Sequence, residues 1–308
     1  MRIFAVSDVH ADYTDNRRWL GSLSASEFTG DALVVAGDIS HSIVLLEEVL
    51  TELRSRYRQV FFVPGNHDLW LRSEGEDDSL AKLGSILGLC RDLDVSTGPA
   101  VLGDVGDEHP ILVVPLLSWY ERPEHSGTSL YVPKRGEDPD LSMWVDNWAI
   151  RWPGHMTDSD AARHMAASNE PLPTAQDTSR VMTFSHFLPR RELMFRTAEE
   201  ISMTGSARDD PSPPFNFSRV AGSSLIETQL RDIGSMLHVY GHQHRNRIVR
   251  IDGVTYVSCC LGYPRERDRG VIKEGEAVPM LLWDTHRLVT LAVRSPGKGP
   301  APAPAVDE

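Results

Sequence analysis

Asp8 and His10 in "VSDVHA", Asp38 in "VVAGDIS", Asn66, His67 and Asp68 in "VPGNHD", His186 in "TFSHF", and His242 and His244 in "VYGHQH" have types and spacings that suit metal or acid/base chemistry. Carboxylates and an amide offer hard oxygen donors, imidazoles offer nitrogen, and no cysteine joins them. That mixture suits Mn, Fe or Zn in a catalytic setting and not a thiolate-held structural zinc. Taken singly, each cluster has a plainer reading. Asp8 can end a strand, Asp38 can cap a helix, and His186 can be a satisfied core histidine. Taken together they are harder to dismiss, because five of the twelve histidines sit where a strand-like run ends. So many potential ligand groups exceed the needs of one ion.

The runs that carry these clusters are apolar and β-branched. "IFAVSDVH", "ALVVAGDIS" and "VFFVPGNHD" recur about every 30 residues, the length of a βαβ unit. Between the last two, Val44, Leu45, Val49, Leu50 and Leu53 fall at helical spacing. A third helix is expected around "SLAKLGSILGLCRDL", and strands at "PAVLG", "ILVVPLLSW", "RVMTFSH", "MLHVYGHQH", "GVTYVSCCLGY" and "VPMLLWD". Continuous apolar strands alternating with helices imply sheets covered by helices, with sites beyond the carboxyl ends of the strands. The alternation predicts that Asp8 and His10, two residues apart, point to one side, and that the polar clusters lie in exposed turns.

Composition bounds the rest. With 308 residues, 41% hydrophobic and 24% charged, the chain can bury a large core. A formal charge of −13 argues against holding nucleic acid through a general surface field. No stretch approaches the ~18 apolar residues of a membrane span. Cys90, Cys259 and Cys260 show no CxxC spacing, so they read as structural thiols in a reducing, cytoplasmic setting. Residues 1–294 read as one domain, with a Trp-rich insertion over about 119–178 that holds Trp119, Trp144, Trp148 and Trp152, and a disordered Pro/Ala-rich tail at 295–308.

With D-x-H, G-D, G-N-H-D, a lone H and G-H-x-H in this order across residues 8 to 244, the sequence resembles the calcineurin-like metallophosphoesterases. The resemblance implies an α/β fold: a four-layer α/β/β/α sandwich of two mixed sheets flanked by helices. It also implies two divalent or trivalent ions, Mn, Fe or Zn. One would be held by Asp8, His10, Asp38 and His244, the other by Asp38, Asn66, His186 and His242. His67 would face the substrate and Asp68 would orient it. The implied activity is hydrolysis of a small or medium phosphate ester, read first as a monoester, by a water made acidic between the ions. A phosphodiesterase acting on cyclic nucleotides or nucleic acid is the alternative, and a non-catalytic scaffold a more distant one. Arg190, Arg191, Arg245 and Arg265 are the candidates for gripping a substrate phosphate.

Overall fold

The computed structural model describes residues 1–72, 75–104, 106–173, 180–195, 214–272 and 279–291. The expected tail at 295–308 and the last residues of the insertion, 174–178, lie outside these.

Two mixed sheets carry the fold. In the first, β1 (Arg2–Val6), β2 (Ala32–Ala36) and β3 (Gln59–Val63) run parallel, and β10 (Met280–Asp284) closes the edge antiparallel to β1. The second is ordered β4 (Ala100–Leu102), β5 (Ile111–Pro115), β6 (Val181–Phe184), β7 (Leu237–Tyr240), β9 (Val254–Ser258), β8 (Arg247–Ile251). Its four central strands are parallel and its two edges antiparallel. Strand β8 has no continuous apolar run, because as an edge strand it alternates buried Val249 and Ile251 with exposed Arg250.

Strand alternation divides the core in two. Ile3, Ala5, Val34 and Phe61 of the first sheet form one buried cluster with Val113, Phe184 and Val239 of the second, so the sheets pack face to face. Phe4, Val35 and Phe62 point outward to α2 (Ile43–Arg56) and α3 (Ser79–Asp92), which bury Leu46, Leu50, Leu53 and Ile86. Val44, expected on the apolar face of α2, is 62% exposed. Leu46, Val49, Leu50 and Leu53 form that face instead, each worth ~1.5–3 kcal/mol when buried. The other outer surface is covered by α5 (Asp158–Ser168) and α6 (Ser224–Asp232), which touch one another. All three cysteines are buried and none is in a disulfide.

The Trp-rich insertion is packed rather than splayed. Trp119 and Trp152 both donate to Asp158 Oδ1 at 3.0 Å, and Trp119 stacks on Tyr120. Trp148 is 64% exposed.

Candidate metal centre

The five clusters converge where β1, β2, β3, β6 and β7 end. Three of the five turns are left-handed. Among the described residues eight non-glycines have positive φ, and five of these are Asp8, His10, Asp38, His242 and His244. Such backbone is costly for residues with a Cβ and collects at functional sites. It also corrects the expectation from strand alternation: β1 stops at Val6, and Asp8 and His10 are aimed by a turn. Nor are the clusters exposed, since Asp8, His10, Asp38, Asn66 and His186 are at most 1% accessible. The motif glycines follow from this crowding. A Cβ on Gly65 would lie 2.2 Å from Asp38 Oδ1, and one on Gly37 2.4 Å from His186 Nδ1.

Asp8, His10 and His244 each place a ligand atom within 4.8 Å of the others, and so do Asp38, His186 and His242. His10, Asp38 and His67 form a third such group between them. Asn66 Oδ1 lies 3.3 Å from His186 Nε2, which is 3.5 Å from Asp38 Oδ2. His10 Nε2 and His244 Nε2 face each other at 3.0 Å.

Three imidazoles have one ring nitrogen already committed to an acceptor. His186 Nδ1 donates to Ala36 O at 2.9 Å, His242 Nε2 to Val220 O at 2.9 Å, and His244 Nδ1 to Glu266 Oε2 at 2.6 Å. For His186 and His242, which burial keeps neutral, the remaining nitrogen is then a lone-pair acceptor, the arrangement typical of histidines that bind metal, and the remaining Nε2 of His244 is 3.4 Å from Asp8 Oδ1. The charges agree. Burial, then the Asp68 and Asp8 carboxylates, push the Asp38 carboxyl well above its usual range. Burial holds His10, His67 and His242 well below theirs, and neighbouring imidazoles add to it. Burial also opposes protonation of His244, yet Asp8 and Glu266 raise it to about 10. The carboxylates thus hold a proton on His244 where a cation could take its place, the other imidazoles stay neutral, and these residues fit a metal centre.

Several partners come from outside the five clusters. Glu266, on the short helix α7 (Pro264–Asp268), accepts from both His244 Nδ1 and the Tyr263 backbone N–H. The Tyr263 ring lies 4.4 Å from that of His10, and its hydroxyl 3.2 Å from His67 Nε2. From the insertion, Asp146 on α4 (Asp146–Ala149) accepts at Oδ1 from Asn66 Nδ2 at 3.0 Å and Trp70 Nε1 at 2.6 Å. The His67 ring lies 3.6 Å from that of Trp70, tilted 31° to it. In "YPRER" the Pro and Glu signal a helix start, but nothing local signals the reach of Glu266 to His244. Asp146 carries no signal at all.

The expected contact between Asp68 and the His67 ring is corrected. Asp68 Oδ2 accepts from the backbone N–H groups of Asp38 and Gly65, and Oδ1 from those of Ile39 and Ser40, all at 2.8–3.0 Å. It splices the β2 and β3 turns together, while Trp70 and Tyr263 hold His67. The arginines divide. Arg190 is engaged by Glu192, Glu227 and Asp252, so its fork is spent on carboxylates. Arg191 lines a cleft together with Arg190. Arg245 donates to Met194 O. Arg265 sits over the Tyr263 ring at 5.0 Å, beside the ligand cluster.

The sequence pattern described as calcineurin-like phosphoesterase matches residues 1–169, more than half of the 308. The chain belongs to that family. It is 26% identical over 272 residues to the acyl-carrier-protein phosphodiesterase PptH of Mycobacterium tuberculosis, covering 86% of this chain and 78% of that protein. The crystal structure of phosphopantetheinyl hydrolase (PptH) from Mycobacterium tuberculosis superposes with a TM-score of 0.67 at 21% identity, over 91% of this chain and 94% of the other. That likeness speaks for the fold. Family and relative together make this chain a phosphoric ester hydrolase.

Proposed function

We propose that the protein hydrolyses a phosphodiester at a centre of two metal ions, and that its substrate is a phosphopantetheinyl group esterified to a carrier protein. The observation that carries the metal reading is the commitment of one nitrogen each on His186, His242 and His244 to fixed acceptors. The diester reading is supported by the likeness to PptH over most of both chains, and it replaces the free small monoester first expected.

Asp8, His10, Asp38 and His244 would hold one ion, and Asp38, Asn66, His186 and His242 the other, with Asp38 shared. Mn, Fe and Zn all suit this donor set. Bound there, such ions supply Lewis acidity: they acidify water and neutralise phosphoryl charge. The chain's own residues do the rest. Asp146 turns the Asn66 amide so that its oxygen faces the ligand cluster. His67, kept neutral by burial, acts as a hydrogen-bond donor to the phosphoryl or leaving oxygen rather than as a cation. Trp70 and Tyr263 limit where that imidazole can swing. The catalytic unit is a single domain over residues 1–294, in which the insertion at about 119–178 contributes Asp146.

The experiment is elemental analysis followed by a hydrolysis panel of holo-acyl carrier protein, bis-p-nitrophenyl phosphate and p-nitrophenyl phosphate. Two metal equivalents with release of phosphopantetheine and preference for the diester support the reading. Cleavage of the monoester alone overturns it.

A further inference from the structure

Beside the metal cluster lies a groove of about 550 Å³. Its walls include Met194, Phe215, Phe217 and Gln243, with Lys134 and Arg245, and among the described residues no carboxylate lines it. In a chain of net charge −13 that is a local exception. The volume is within the range of small-molecule sites, about 300–1,000 Å³. The groove borders the candidate ligands directly. Phe217 packs its ring 5.3 Å from that of His242, and Trp144, 6.0 Å from His242, stacks on Phe215. Gln243 is the residue between His242 and His244.

Gln243 supplies the polar feature. Its Nε2 donates to Met194 O at 3.1 Å, and since a carbonyl can only accept, this fixes which end of the amide is which. Oε1 is then turned away, buried, and without a hydrogen-bond partner among the described residues. A buried unsatisfied acceptor is costly, so it is a standing demand for an N–H or O–H donor. Lys134 Nζ and Arg245 Nη1 donate to the backbone carbonyls of Phe215 and Met194 and are held in the wall.

We infer that this groove holds the non-phosphate arm of the substrate, an extended uncharged chain with amide N–H groups, one of which donates to Gln243 Oε1. The aromatic and Met side chains cover its methylenes, and Lys134 and Arg245 in the wall favour an arm that ends in an anionic phosphoryl group. The inference deepens the phosphodiesterase reading by naming what lies on the far side of the scissile phosphate, and it rests on that reading for the arm's identity.

The test separates the two. Pantetheine has the amides and no phosphate, so its binding to the metal-loaded protein, measured by calorimetry, reports on the groove and not on hydrolysis. Binding by the wild type, weakened ~10-fold by Gln243→Leu and several-fold by Phe215→Ala, with metal content and melting temperature unchanged, is the expected result. The second variant keeps the test decisive if the first does not fold. A crystal structure with pantetheine should show an amide nitrogen within hydrogen-bond distance of Gln243 Oε1. Failure of the wild type to bind, equal affinity in both variants, or a water on Oε1 with the ligand elsewhere overturns the inference. If pantetheine binds as described but holo-carrier protein is not cleaved, the substrate reading fails and the groove stands.

Discussion

His244 Nδ1 donates to Glu266 Oε2 at 2.6 Å, and this contact ties the G-H-x-H turn after β7 to a helix near the end of the described chain. Because a carboxylate only accepts, it keeps the proton on Nδ1 and turns Nε2 toward Asp8 and His10, where a bound cation would take the place of the Nε2 proton. Glu266→Gln should therefore weaken metal binding at that half of the centre by about 10–100-fold. Metal competition titrations would read it, and unchanged affinity would refute the role.

Asp146 plays the matching part on the other side. Asp146→Ala leaves the Trp70 N–H and the Asn66 amide without their acceptor, at ~1–3 kcal/mol for a buried donor. Urea unfolding should show that loss, and the protein should retain less of the metal proposed for Asn66, His186 and His242. Full stability together with full metal content would contradict the assignment.

His67 touches Trp70 and Tyr263 and is not among the eight places given to metal in the two ligand sets. For His67→Ala, turnover should fall by about 10²–10⁴ while metal content survives. Turnover within a factor of two of wild type would exclude the donor role.

Gly65 has no room for a side chain, with Asp38 Oδ1 2.2 Å from an added Cβ. Gly65→Ala should displace Asp38 and cost the protein bound metal, seen by elemental analysis, more than it costs global stability. Retention of full metal would show that the turn yields.

His238, beneath the site on β7, is buried and neutral. Ser185 Oγ donates to Phe187 O, so it accepts from His238 Nε2, and Thr183 Oγ1 meets Nδ1 at 2.8 Å. Burial lowers its pKa to about 3. Unfolded histidine takes up its proton near 6.5, so between about pH 6.5 and 3 the unfolded chain binds more protons and folding weakens as pH falls. At ~1.4 kcal/mol per unit, roughly 2 kcal/mol is gone by about pH 5. His238→Gln should lose less than wild type between pH 7 and 5 in urea titrations. Parallel losses would show that His238 does not titrate on unfolding.

Much of the site was legible because each cluster is local. Asp38, Asn66, His186 and His242 follow directly on strands whose unbroken apolar runs mark them as buried, and their types declare metal chemistry wherever the turns point them. Glu266, Asp146 and Tyr263 were not legible. Their partners lie far away in the chain, as with the 80 positions between Asn66 and Asp146, and no local period records such a meeting. Asp68 was misread for a related reason: adjacency to His67 suggested a contact that the tight turn forbids.

By itself, then, the sequence determined which groups can bind metal, in what order they occur, and that buried strands deliver them, since hydrophobic patterning and side-chain chemistry are properties of short segments. Tertiary structure alone decided the rest: which nitrogen of each imidazole is free, which carboxylates hold the ligands in place, and where a groove opens beside them. Those depend on distances of about 3 Å between residues remote in the chain, and only packing in three dimensions sets such distances.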